Sequence, residues 1–278
     1  MSATPLEVVL KRDRTVVLCG LVFVSVLAWG YVFHQAHAMN NMEMSGAPMS
    51  MDMSMNMTTE MTMPQRNTWQ ALDFVLIFAM WAVMMVAMML PSAAPMVLLF
   101  AAFNRRRREQ QRPFVPTGVF LLGYLIVWTM FSLLATLAQW GLHNAALLSP
   151  MMTSTSPALG GALLIAAGVF QWTPLKNSCL AHCRTPLNFI STEWREGRTG
   201  ALTMGLRHGA YCLGCCWVLM LLLFVTGVMN LVWIAVIAAF VLLEKVAPQP
   251  LRAYVSRGAG LILVLWGLFM LRGSFAGF

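Results

Sequence analysis

The chain has 278 residues, 59% of them hydrophobic and 10% charged, with a mean hydropathy of +0.71 and a formal net charge of +8, where an ordinary soluble domain carries about 25% charged residues. That is too little charge to clothe a folded surface in water, so a soluble enzyme, a nucleic-acid module and a disordered scaffold are excluded and a polytopic membrane protein is expected. The cationic excess then concerns topology first, with the lipid bilayer as partner and no nucleic acid.

A bilayer core of ~30 Å takes about 20 apolar residues per helix. Runs of that kind predict an all-α transmembrane bundle of about seven helices. The first covers residues 15–33, and with the N-terminus it forms a unit over residues 1–33. A polar loop, residues 34–68, separates it from a six-helix membrane domain over residues 69–278. Within that domain the run 71–103 is long for a single span, and Pro91 and Pro95 are expected to kink or break it. Residues 114–138 and 157–172 give two more helices. The stretch 206–246 is about twice one span, and Thr226-Gly227 with Asn230 offers the turn that folds it in two. Residues 254–271 close the set.

Sixteen of the 18 Lys and Arg side chains fall in connections on one side of such a path. They are Lys11, Arg12 and Arg14, then Arg105, Arg106, Arg107, Arg108 and Arg112, then Lys176, Arg184, Arg195, Arg198 and Arg207, and last Lys245, Arg252 and Arg257; Arg66 and Arg272 lie opposite. Cationic loops resist translocation. The N-terminus is therefore expected in the cytoplasm and the loop 34–68 in the periplasm, as for a multi-pass protein of the bacterial inner membrane. The four consecutive arginines read as an anchor against anionic lipid. Lys11 through Ala36-His37-Ala38 has the order of a signal peptide, but the apolar run of about 18 residues exceeds the usual 7–15, so an uncut first helix is expected.

Ten of the 24 methionines stand between Met39 and Met63, and from Met49 through Met51, Met53, Met55 and Met57 they alternate with Ser, Asp and Asn. A polar loop gains nothing in packing from thioethers, and such a pattern makes a poor strand. Thioether sulfur is a neutral soft ligand that selects Cu(I). His34 and His37 precede the run. A low-complexity segment or an oxidant sink is the competing reading. The Met-x-Met run resembles the loops of Ctr-type copper importers and periplasmic copper-resistance proteins. Met80, Met84 and Met88 continue the series at i, i+4, i+8 on one helix face. Their spacing resembles the Met-x-x-x-Met element of the same importers, although methionine is also a common apolar filler.

Five of the six cysteines lie between Cys179 and Cys216. On a helix, Cys179, His182 and Cys183 share a face at i, i+3, i+4, and His208, Cys212, Cys215 and Cys216 repeat that logic at i, i+4, i+7, i+8. The predicted topology brings both groups to the cytoplasmic side. A reducing compartment there disfavours structural disulfides and leaves metal or redox chemistry. Sulfur with imidazole suits Cu(I), with Zn as the alternative. Cys179, Cys183, Cys212 and Cys215 are the expected sulfur donors, with Cys216 as alternative donor or packing residue. Among the acids, Glu244 is placed to pair with Lys245 or to accept from a ligating histidine, and Asp73 opens the second helix. No phosphate loop, nucleophile elbow or zinc-protease motif occurs, which removes ATP-driven pumping and the familiar hydrolases.

The runs Met80-Trp81-Ala82-Val83-Met84-Met85-Val86-Ala87-Met88-Met89-Leu90-Pro91, Trp172-Thr173-Pro174-Leu175-Lys176-Asn177-Ser178-Cys179 with Cys183-Arg184-Thr185-Pro186, and Tyr211-Cys212-Leu213-Gly214-Cys215-Cys216-Trp217, followed by Gly227-Val228-Met229-Asn230-Leu231 and Glu244-Lys245, resemble a bacterial family of predicted metal-binding integral membrane proteins. The resemblance spans residues 69–271 and implies a membrane metal-binding fold. Copper(I) binding is the expected function, for passive transport or for delivery to a membrane enzyme or exchange with a metallochaperone. The alternatives are a thiol-redox or metal-dependent membrane oxidoreductase, using Cys215-Cys216 or Cys179 with Cys183, and an accessory subunit of a membrane complex.

Overall fold

The computed structural model of the protein describes residues 5–45, 70–111, 114–145, 147 and 156–275. The alternating methionines Met49, Met51, Met53, Met55 and Met57 lie outside the described residues. The described chain forms α1 (Pro5–Ser45), α2 (Ala71–Glu109), α3 (Thr117–Asn144), α4 (Pro157–Phe170), α5 (Pro174–Arg184), α6 (Pro186–Glu193), α7 (Gly197–Leu221), α8 (Leu223–Thr226), α9 (Leu231–Val246) and α10 (Gln249–Phe275), with no strand among the described residues. In hydrocarbon every backbone N–H and C=O has to be satisfied within its own segment, and a helix does this.

Five segments are long and apolar enough to cross a membrane: Thr15–Ala38, Ala71–Glu109, Thr117–Asn144, Gly197–Thr226 and Gln249–Arg272. A sixth results if α4 and α5, bent by 62° at their junction, count as one span. The expected seventh is α9, whose 16 residues reach only ~24 Å at about 1.5 Å per residue. The Arg184 guanidinium donates to the carbonyls of Lys245, at 3.2 Å, and of Ala247. The end of this short helix is thus capped by protein. At its start, the Asn230 side chain accepts from the Trp233 amide, and Gly227 at φ 96° makes the preceding turn.

Of the two outcomes expected at Pro91 and Pro95, the break is ruled out, because α2 runs unbroken through both prolines. In the turn that carries Pro91, Ser92 Oγ (2.8 Å) and Tyr124 OH (3.1 Å) both donate to the Met89 carbonyl. The carbonyl that Pro91 leaves without an amide donor is that of Ala87, so these hydroxyls add bonds to the same turn without replacing the lost one. Met84, Met85, Met88, Met89 and Met96 are buried, as is Trp81, so this part of α2 looks into protein. Lipid would meet the large exposed apolar side chains of α1, such as Phe23, Val26 and Leu27.

Helices α3 and α7 touch through glycine. A Cβ on Gly205 would stand 2.0 Å from the Phe120 carbonyl oxygen, and one on Gly123 2.4 Å from that of Leu202. Small residues that let backbones approach are the usual glue between membrane helices, where no hydrophobic force separates protein from lipid. This crossing sets the depth at which α7 presents its cysteines.

Candidate metal centre

The close approach of α3 and α7 brings Tyr124 OH to 3.2 Å from Cys212 Sγ. The 62° bend after α4 then turns α5 onto α7. Thr173 caps α5 by accepting from the Lys176 amide, and Pro174 occupies its first turn. Cys179 Sγ would stand 2.8 Å from a Cβ at Gly214; the missing side chain at Gly214 makes the room. One turn on, Cys183 packs against the core beside Cys212 and Cys215 of α7.

On α7 itself, Cys215 Sγ (3.1 Å) and Cys216 Sγ (2.9 Å) both donate to the Cys212 carbonyl. Cys216 Sγ also lies 3.9 Å from Met89 Sδ on α2. Cys212, Cys215 and Cys216 are buried, Cys179 and Cys183 partly so, and none of the described cysteines is in a disulfide. Met84 and Met88 are buried on the same helix as Met89.

The histidines separate. His208, one turn before Cys212, is 3% exposed among the rings of Phe120, Tyr124 and Phe189, and its Nδ1 has no hydrogen-bond partner. A buried imidazole nitrogen without a partner is a lone pair or a donor held in reserve. His182 is exposed, stacks on Tyr211 at 4.2 Å and 12°, and its Nδ1 is 2.8 Å from the Ser178 carbonyl.

Buried charge departs furthest from the sequence expectation. Glu244 does not pair with Lys245. Its carboxylate takes Lys176 Nζ at 2.6 and 2.7 Å, and that ammonium also donates to Gln171 Oε1. Lys245 Nζ instead reaches Ser92 Oγ at 2.8 Å and Cys212 Sγ at 3.0 Å. Lys176 and Lys245 stand among the cations expected in connections, yet both are buried in the bundle. The signal that could have found them is a lysine embedded in an apolar run, since an ionisable residue at membrane depth is rare and usually functional. Tyr124 and Ser92 give no such signal; ordinary residues of helical runs, they join the centre only through helix packing. Asp73, by contrast, serves the fold, accepting from the Gln70 amide at 2.9 Å in a capping box.

Among the described residues no three His, Cys, Asp or Glu side chains stand as a preformed metal site. The arrangement is a set of thiols with a thioether beside it, on three helices, with an ammonium touching one of them. Soft sulfur donors of this kind select Cu(I). Cu(I) held by two thiolates leaves one net negative charge, which a low-dielectric interior penalises unless a cation is near. Lys245 Nζ is a buried cation 3.0 Å from one of these thiols.

Neither a curated protein nor a solved structure matches the chain. A family model does, over residues 78–270, which takes in α2 from its third turn through most of α10 and every cysteine of the centre; its description is PpoB2, copper chaperone. The chain therefore belongs to the PpoB2 copper chaperone family.

Proposed function

We propose that the protein binds copper(I) within its helix bundle, through the thiols of Cys183, Cys212 and Cys215, and delivers it to a membrane enzyme under assembly or exchanges it with a metallochaperone. Cys179, Cys216, His208 and Met89 stand next in line as donors, and His182 belongs to the exposed approach. The observation that carries this reading is the buried ammonium of Lys245 at 3.0 Å from Cys212 Sγ, on the turn of α7 where the thiols of Cys215 and Cys216 both bond to the Cys212 carbonyl. The family's copper description supports the choice of metal. In this reading the membrane is the bacterial inner membrane, the N-terminus is cytoplasmic, and Met49, Met51, Met53, Met55 and Met57 capture the ion on the outer side. Met84 and Met88 line its way inward.

The test is metal content of purified full-length protein loaded with Cu(I) and, separately, with Zn(II). Cys212→Ser and Cys215→Ser should lose bound copper while eluting as the wild type, because the hydroxyl removes a soft ligand and nearly keeps the volume. Cys19→Ser, on the exposed face of α1, should keep it. Equal copper in all four proteins would overturn the site. Zinc retained in preference to copper would overturn the metal, and a reversible dithiol without metal would move the assignment to thiol redox chemistry.

A further inference from the structure

On the side of the molecule where the cationic connections gather, a cavity of about 660 Å³ opens between the α4–α5 bend and the first half of α10; its walls include Gln171, Trp172, Asn177, Arg252, Ser256 and Arg257. Its polar walls hold donors in excess. Two guanidinium groups face it, and no carboxylate is among the lining residues.

The orientation of Gln171 is decided by its neighbours. Its Oε1 accepts from Lys176 Nζ, and Ser256 Oγ stands 3.4 Å away, its one proton shared with the Gln171 carbonyl at 3.5 Å and the Glu244 carboxylate. Amide orientation is assigned from such networks. The other atom, Nε2, is left as a buried donor with no partner, in a residue only 2% exposed. Arg252 repeats the pattern: one terminal nitrogen donates to Gln249 Oε1, but its buried Nε has no partner. Buried donors are nearly always satisfied. Two donors without partners in residues that line the cavity, beside a second arginine and with no carboxylate among the lining residues, suit an anionic acceptor.

We propose that this cavity binds a phosphate group carried on a small organic body. Guanidinium groups match phosphate oxygens in a planar, bidentate fashion that carboxamide donors extend. The volume lies in the ~300–1,000 Å³ range of small-molecule sites, so there is room for a substituent on the phosphate. Two sources share this chemistry, an anionic phospholipid headgroup at the membrane surface and a free phosphate compound from the aqueous side.

Full-length protein purified in detergent would be titrated with phosphatidylglycerol, with phosphatidylcholine and with inorganic phosphate, reading bound lipid by native mass spectrometry and the thermal midpoint. The wild type should retain phosphatidylglycerol over phosphatidylcholine, or gain thermal protection from inorganic phosphate. The first result assigns the site to a lipid headgroup and the second to a free phosphate. In Arg252→Gln and Arg257→Gln, binding of the effective probe should weaken by about tenfold or more for each charge-assisted hydrogen bond removed. Should Arg252→Gln fail to fold, Arg257→Gln, altered at an exposed position, decides alone. No preference and no protection in the wild type, or undiminished binding in a folded variant, would overturn the proposal.

Discussion

Lys245 shows what a single side chain contributes to the centre. Its ammonium lies 3.0 Å from Cys212 Sγ and 2.8 Å from Ser92 Oγ, so replacing it with glutamine keeps a polar group there and removes the charge. Groups that support ligands from behind typically govern affinity by about 10–100-fold. Lys245→Gln is expected to lower Cu(I) affinity in that range, measured by competition with a Cu(I) chelator, without loss of the folded protein. Unchanged affinity would detach Lys245 from the site. The pair Lys176–Glu244 makes the opposite kind of prediction. Both side chains are almost wholly buried, and removing one partner leaves an uncompensated charge at a cost of about 3–5 kcal/mol. Lys176→Met should therefore lower thermal stability sharply, and Glu244→Leu added to it should restore most of the stability. A double variant as unstable as the single would show that the lysine acts through something other than its carboxylate partner.

At the scale of elements, the α3–α7 crossing can be broken by one atom. The Cβ of a residue at 205 would meet a backbone oxygen at 2.0 Å, and no rotamer moves a backbone. Gly205→Leu is expected to part the two helices and, with them, Tyr124 from Cys212. Overpacking of a tight core commonly costs about 1–3 kcal/mol, so thermal stability and copper content should fall together. Gly141→Ala, near the far end of α3 with nothing within 4 Å of its Cβ, should leave both intact or raise stability slightly. Elements also differ in how plainly the sequence announces them. The turn at Thr226-Gly227 is legible because glycine at φ 96° and an Asn cap are local chemistry. The unbroken course of α2 through Pro91 is not, because the turn that carries it is held in part by the Tyr124 hydroxyl on another helix.

For the molecule as a whole, the distribution of cations yields the firmest expectation. Setting aside Lys176 and Lys245, which are buried, the bias remains heavily one-sided, with Arg105, Arg106, Arg107 and Arg108 in a single run. Reporter fusions after Arg108 and Arg198 should report cytoplasm, and one inserted between residues 49 and 63 should report periplasm. The reverse assignment would place the methionine run inside the cell and remove the capture route. Composition and period alone determined the all-helical membrane fold, most of its spans and the identity of the sulfur-bearing helices, because hydropathy and helical spacing are properties of consecutive residues. Which sulfurs meet, that Met89 reaches Cys216, and that Lys245 turns to Cys212 while Lys176 takes Glu244 were decided by tertiary structure. Those pairings depend on a 62° bend, a glycine crossing and the short reach of α9, and they join residues as many as 127 positions apart, a separation over which local pattern carries no information.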